Sequence, residues 1–223
     1  MDLFQALPAL GHHPLLSGKK ITLVGVSTIP CDETGCYFEI AKPKYWHRSQ
    51  ETEGAKVTTQ IGIGGIGGTI EQGETPLACL RREVEEELGV RVQPEMSPQT
   101  YLIHDWQVAD TLHLKPGKKR PTPLMVILVP PRLGGPDIPD HLAIVAFRAR
   151  LRGTPAPHDL FGLLRIENDV LDEFFSRDEW PLDEVQTHPS LTVILNDQPP
   201  PNSTLRPILT VRAFQLLVRA GYV

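Results

Sequence analysis

The sequence predicts an α/β protein: an α/β/α sandwich around a central sheet of mixed strand direction. Strand-like segments lie on both sides of one strongly patterned helix in the middle of the chain, and a second amphipathic helix follows late. The strands do not alternate regularly with helices, as a doubly wound parallel sheet would require. At 223 residues the chain is long enough for one sizeable domain with insertions. The expected organisation is a loose leader over residues 1–18 and a single domain over 19–223. Insertions are expected around 105–140 and 150–160, and a C-terminal helix around 209–220.

Each element has its own signal. Residues 21–29 (ITLVGVSTI) are β-branched and bounded by Lys and Pro, which reads as a strand. Residues 37–41 are its hairpin partner, with turn residues at 32–35. Residues 58–66 form a third strand, and its glycines point to bulging or close backbone approach. Over 76–88 Leu77, Leu80, Val84 and Leu88 recur at steps of three and four and make one apolar stripe. Thr75 is a hydroxyl N-cap, Pro76 suits the first helical position, and Gly89 is a C-terminal stop. Further strands are expected at 100–103, 124–129 and 141–149, and an amphipathic helix at 209–220 stopped by Gly221. Residues 155–185 are ambiguous: 168–175 suits a short helix and 178–185 a polar turn. The 22 prolines gather in the connections, where they stiffen long loops instead of building core.

Composition narrows the function classes. A net charge of −5 gives no global basic field, so nucleic acid is not an expected partner. The first sixteen residues lack the charged and apolar regions of a signal peptide, and no apolar run approaches the ~20 residues that span a bilayer. A soluble cytoplasmic protein is expected, which leaves the Asn202-Ser203-Thr204 sequon idle. Three cysteines with no C-x2-C pair indicate neither a disulfide framework nor a zinc site. Cys79, inside the central helix, reads as a small packed residue.

The chemistry concentrates in residues 68–90. Gly68, Glu74, Arg82, Glu83, Glu86, Glu87 and Gly89 stand at the spacing G-x5-E-x7-R-E-U-x-E-E-x-G-U, with Val84 and Val90 at the aliphatic positions. At about 100° per residue Glu83, Glu86 and Glu87 share one quadrant of the helix. Like charges at that spacing repel, and a hard divalent cation would neutralise them; oxygen-rich sites suit Mg²⁺ or Mn²⁺. A solvated acidic face is the competing reading, but it explains neither Gly68 nor Glu74. The run Gly62 to Gly67 satisfies G-x-G-x-x-G, yet no helix opens within it, so a dinucleotide site is not expected.

The pattern is the complete Nudix box, and the chain resembles the Nudix hydrolase superfamily. The resemblance implies a Nudix-type sandwich with a loop-helix-loop catalytic motif. It also implies hydrolysis of a pyrophosphate bond in a nucleoside diphosphate linked to another moiety, by water attack on phosphorus with Mg²⁺ or Mn²⁺. Carried across, Glu83, Glu86 and Glu87 are the metal-binding carboxylates and the Gly68 carbonyl is a further ligand. Arg82 and Glu74 brace the box with Gly89, orienting Glu83 as general base. Later carboxylates at Glu167, Asp169 and Glu173 are weaker candidates for the base. Trp46 and Trp106 are candidate stacking surfaces for a nucleobase, and a basic loop at Lys115, Lys118, Lys119 and Arg120 is a candidate phosphate contact. No substrate-class signature is recognisable. A non-catalytic Nudix-fold module binding a nucleotide is the alternative, and the Pro-rich connections leave room for a homodimer interface. An isoprenoid diphosphate isomerase would be expected to have a degenerate box, and this one is intact.

Overall fold

A computed structural model describes residues 1–49, 57–115, 121–129 and 141–223. Helix α1 (Leu3–Ala6) precedes β1 (Thr22–Cys31), β2 (Gly35–Ile40), β3 (His47–Arg48), β4 (Thr59–Gly64) and β5 (Ile66–Thr69). Helix α2 (Pro76–Leu88) leads to β6 (Arg91–Pro94), β7 (Thr100–His104), β8 (Gln107–Leu112), β9 (Met125–Val129), β10 (Leu142–Arg152) and β11 (Gly162–Glu167). There follow α3 (Leu171–Ser176), β12 (Trp180–Pro181), α4 (Leu182–Thr187), β13 (Leu191–Leu195), β14 (Ser203–Pro207) and α5 (Leu209–Arg219).

The strands form one mixed sheet with the path β12-β14-β4-β2-β1-β10-β9-β7-β8, and β11, β13, β3, β5 and β6 pair to its side. β1 runs parallel to β10, β4 to β14 and β7 to β9, while the other pairs are antiparallel. Side chains alternate across the sheet. On β10, Ala143, Val145 and Phe147 enter a core beneath α2, and Ala146 enters the opposite core beneath α3 and α5. The sheet therefore has helices on both faces, as the sandwich expectation requires.

Several expectations are corrected. The leader is packed, not loose: Leu3, Leu10 and Leu16 are fully buried under the sheet, and Leu3 N–H donates to the Ile21 carbonyl. Part of the expected insertion at 105–140 is regular, because β7 and β8 close a tight hairpin with Asp105 and Trp106 at φ 49° and 57°. Residues 116–120 and 130–140, which include Lys118, Lys119 and Arg120, lie outside the described residues. The polar turn expected at 178–185 is β12 and the start of α4. Cys31 and Cys36, where the spacing indicates no disulfide framework, are joined by a disulfide. They face each other directly across the β1–β2 hairpin, a proximity that spacing alone did not reveal. Among the described residues no helix is long and apolar enough to cross a membrane.

Candidate metal centre

Helix α2 is fixed at both ends and along one side. The Thr75 hydroxyl accepts from Ala78 N–H at 3.2 Å, and Gly89 ends the helix with φ 66°. Cys79, Leu80, Val84 and Leu88 are fully buried against the sheet. Locking that stripe turns Glu83 and Glu87, one helical turn apart, toward β5. The loop after β10 seals the C-terminal end. His158 N–H donates to the Glu87 carbonyl at 2.9 Å and Ala156 N–H to that of Leu88 at 3.1 Å. The His158 ring fills the space beside Gly89, where an added Cβ would come within 2.2 Å of it.

At two positions of the glycine run of β4 and β5 carboxylates lie against the bare backbone. A Cβ on Gly68 would stand 2.1 Å from Glu83 Oε1, and one on Gly64 would stand 3.2 Å from Glu39 Oε2. Between them Gly67 N–H donates to Glu87 Oε2 at 3.1 Å. The run that imitates a dinucleotide fingerprint thus makes a strip on which glutamates from α2 and β2 converge. The Gly68 carbonyl takes a weak contact from the Cys79 thiol at 3.8 Å and faces Gly25. Close approach by Glu83 is therefore a second reason for glycine at 68.

Arg82 organises the rim. Its guanidinium donates to both Glu74 oxygens at 3.0 Å, to Glu83 Oε1 at 2.9 Å and to Glu86 Oε2 at 3.3 Å. The Arg82 hydrogen bond, helped by Glu71 N–H, holds Glu74 down to about 2. The interior carboxylates behave oppositely. Burial first, then the facing Glu39, pushes Glu87 up to about 8, against the lowering effect of Gly67 N–H. Burial also raises Glu39. Lys42 lies near enough to lower both, but its ammonium donates to Asp159 at 3.0 Å. Cys79 is driven up to about 12 by burial and by Glu74 and Glu83, which leaves its thiol unreactive.

The donor set suits a hard divalent cation: oxygen ligands, an excess of negative charge, and two partly buried carboxyls whose surroundings disfavour their ionised forms. As folded, Arg82 holds Glu83 and Glu86, and among the described residues no three acidic or metal-binding side chains converge on one point. Glu86 is half exposed and tied by a single long contact, so it can turn inward. The residues fit the cation by chemistry, with Arg82 as the competing counterion.

Sequence reasoning missed Glu39, Lys42, Asp159 and His158. A Glu four places before a Pro in a strand carries no local signal; only the pairing of Glu39 with Gly64 across β2 and β4 reveals it. The other candidates are elsewhere. Glu167 sits opposite Gly35, four strand positions from Glu39, and pairs with Arg165; Asp169 and Glu173 follow in the same region. Trp46 donates its indole N–H to the Ala41 carbonyl and packs edge-on to Phe161, and Arg212 stacks over Trp106. Both indoles thus have protein partners.

No curated protein matches the sequence. Among solved structures, the chain is similar to a NUDIX-family hydrolase from Clostridium perfringens, with 16% identity over 67% of this chain and 83% of that one, TM-score 0.40. It is also similar to a MutT NUDIX hydrolase from Burkholderia pseudomallei, with 15% identity over 90% of this chain and 99% of that one, TM-score 0.37. Likenesses that distant carry no argument about activity. The family model for the NUDIX domain matches residues 47–192, from β3 through the carboxylate helix to β13. Since that stretch is well over half of the chain and contains the box whose geometry is described above, the chain belongs to the NUDIX domain family.

Proposed function

We propose that this protein is a divalent-cation-dependent hydrolase that cleaves the pyrophosphate linkage of a nucleoside diphosphate joined to another moiety. The observation that carries the reading is the convergence of Glu83 and Glu87 on the Gly64–Gly68 strip within a complete box. Family membership supports hydrolysis in general, and a diphosphate substrate explains why an acidic site is useful: Mg²⁺ or Mn²⁺, when bound, screens the two negative partners and polarises the phosphoryl oxygens. Glu86 and Glu87, with Glu83, hold that charge. Glu83, kept in one orientation by Arg82 Nη1, accepts the proton of the water that attacks phosphorus. Glu74 fixes Arg82 from the loop side, so the brace stays put while Glu86 is released. Lys42, now bonded to Asp159, is the nearby cation that could turn to a substrate phosphate.

The test is a panel. The full chain is incubated with Mg²⁺ or Mn²⁺ and, in turn, nucleoside triphosphates, ADP-ribose, nucleotide sugars, dinucleoside polyphosphates, NADH and coenzyme A, and phosphate or pyrophosphate release is followed. Turnover of at least one member that stops on chelation is expected. Silence across the panel with both cations would favour a nucleotide-binding module.

A further inference from the structure

We infer that Glu39, on β2 and outside the box, is an additional carboxylate ligand of the same cation centre; this rests on the reading of that centre given above. Three observations carry it. Glu39 stands opposite Gly64, and its Oε2 lies where a Cβ of that glycine would crowd it, at 3.2 Å. It is therefore on the strip that receives Glu83 and Glu87. No hydrogen-bond donor or salt-bridge partner among the described residues reaches the Glu39 carboxylate, although the residue is only partly exposed. Its oxygens keep some contact with solvent, but no protein donor offsets the partial desolvation of the charge. Lys42, the nearest cation of the chain, is instead bonded to Asp159.

A structural role does not account for such a group. An apolar residue at position 39 would sit on the face it shares with Tyr37 and Leu163 at no electrostatic cost, and leaving two acids near one another on the strip destabilises the cation-free protein. A divalent ion between Glu39 and Glu87 removes both penalties at once. Glu39 supplies it with an oxygen from the sheet, opposite the oxygens that α2 supplies. The rigid β2–β4 pairing would then fix the ion relative to the substrate, whereas helix side chains alone leave it free to shift.

Mn²⁺ binding to the full chain at pH 8, followed by the loss of the free-ion paramagnetic signal, tests this. Glu39→Gln is expected to weaken Mn²⁺ binding by roughly 10- to 100-fold, the loss typical when a supporting group of a metal site is removed. Its cation-free melting temperature should equal or exceed that of the parent, and the rise in melting temperature on adding Mn²⁺ should shrink. Glu39→Asp, which keeps the charge on a shorter stem, should bind with intermediate affinity. Parent-like Mn²⁺ binding by Glu39→Gln, alongside weakened binding by Glu87→Gln, would overturn the role of Glu39 and leave the centre standing. A lowered cation-free melting temperature with an intact Mn²⁺ response would show a purely structural residue. No Mn²⁺ binding by the parent chain would overturn the centre and this inference together.

Discussion

Strand β2 carries two acidic neighbourhoods of opposite character. At the hairpin tip Asp32 receives Thr34 N–H and Gly35 N–H at 2.8 Å each and the Tyr37 hydroxyl at 2.7 Å, with the Arg165 guanidinium at 3.4 Å. Burial pulls its pKa upward, but these donors outweigh it and drive the carboxyl well below the usual range. A few residues along the strand, Glu39 lies near Glu87, which receives one backbone N–H, from Gly67, and both are pushed up. Equal chemistry is satisfied in one place and left wanting in the other. The difference teaches where stability and function divide: the tip is a closed network that holds the hairpin, while the pair at Glu39 and Glu87 lacks such donors and, on the function proposed above, would be completed by a bound cation.

The sharpest way to break this contrast is to neutralise each acid in turn. Glu87→Gln should reduce cation-dependent turnover by about 10²-fold or more while leaving the fold intact, as judged by circular dichroism and kcat. Asp32→Asn should do the reverse, lowering stability in urea by about 1–3 kcal/mol with turnover nearly unchanged. Loss of turnover without loss of stability in Asp32→Asn would erase the distinction.

Adjacent glycines divide in the same manner. A Cβ at Gly67 would meet the Val26 carbonyl at 2.2 Å, at a φ of 150°, so Gly67→Ala should cost about 1–3 kcal/mol in chemical denaturation. At Gly68 the obstacle is the mobile end of Glu83, so Gly68→Ala should fold but lose turnover by up to about 10²-fold through misplacement of that carboxylate.

The pH dependence carries opposite signs for the two acids. Glu87 has a folded pKa of about 8, above its ordinary 4.5, so the folded state binds more protons between those values. Its contribution to stability is therefore full below about 4.5 and is lost as pH rises toward 8. Asp32, with a depressed folded pKa, contributes above about 3.8, and that contribution fades as pH falls through the folded value. Urea midpoints of the parent and Glu87→Gln, compared at pH 5.5 and 8.5 without cation, should converge at the lower pH and diverge at the higher. The smallest effect belongs to neither acid. Thr75→Ala removes the α2 N-cap and should cost about 1 kcal/mol, read as a lowered melting temperature with kcat preserved.

Much of this was legible in local pattern. The box helix ran within its expected bounds because capping, proline and periodicity all act over one or two turns. The β1–β2 hairpin was likewise marked by its turn residues. What escaped depends on chain segments distant in sequence. Glu39 gains meaning only from Gly64, Asp159 only from Lys42, and the buried leader only from a sheet face that needed covering. The Cys31–Cys36 bond was hidden by an odd cysteine count, and β11, β13 and β14 by short strands among prolines. The glycine run shows both sides: its bareness was visible, whereas one of the two carboxylates lying against it, Glu39 beside Gly64, is outside the motif.

The most direct test counts protons. Mg²⁺ is titrated calorimetrically into the full chain at pH 7 in two buffers of different ionisation enthalpy. If a cation ionises the raised Glu87–Glu39 pair, about one proton should leave per ion bound, falling toward none near pH 9.5 and disappearing in Glu87→Gln. Binding with no buffer-dependent heat at pH 7, or no binding at all, would contradict the claim that these carboxyls are held for a cation.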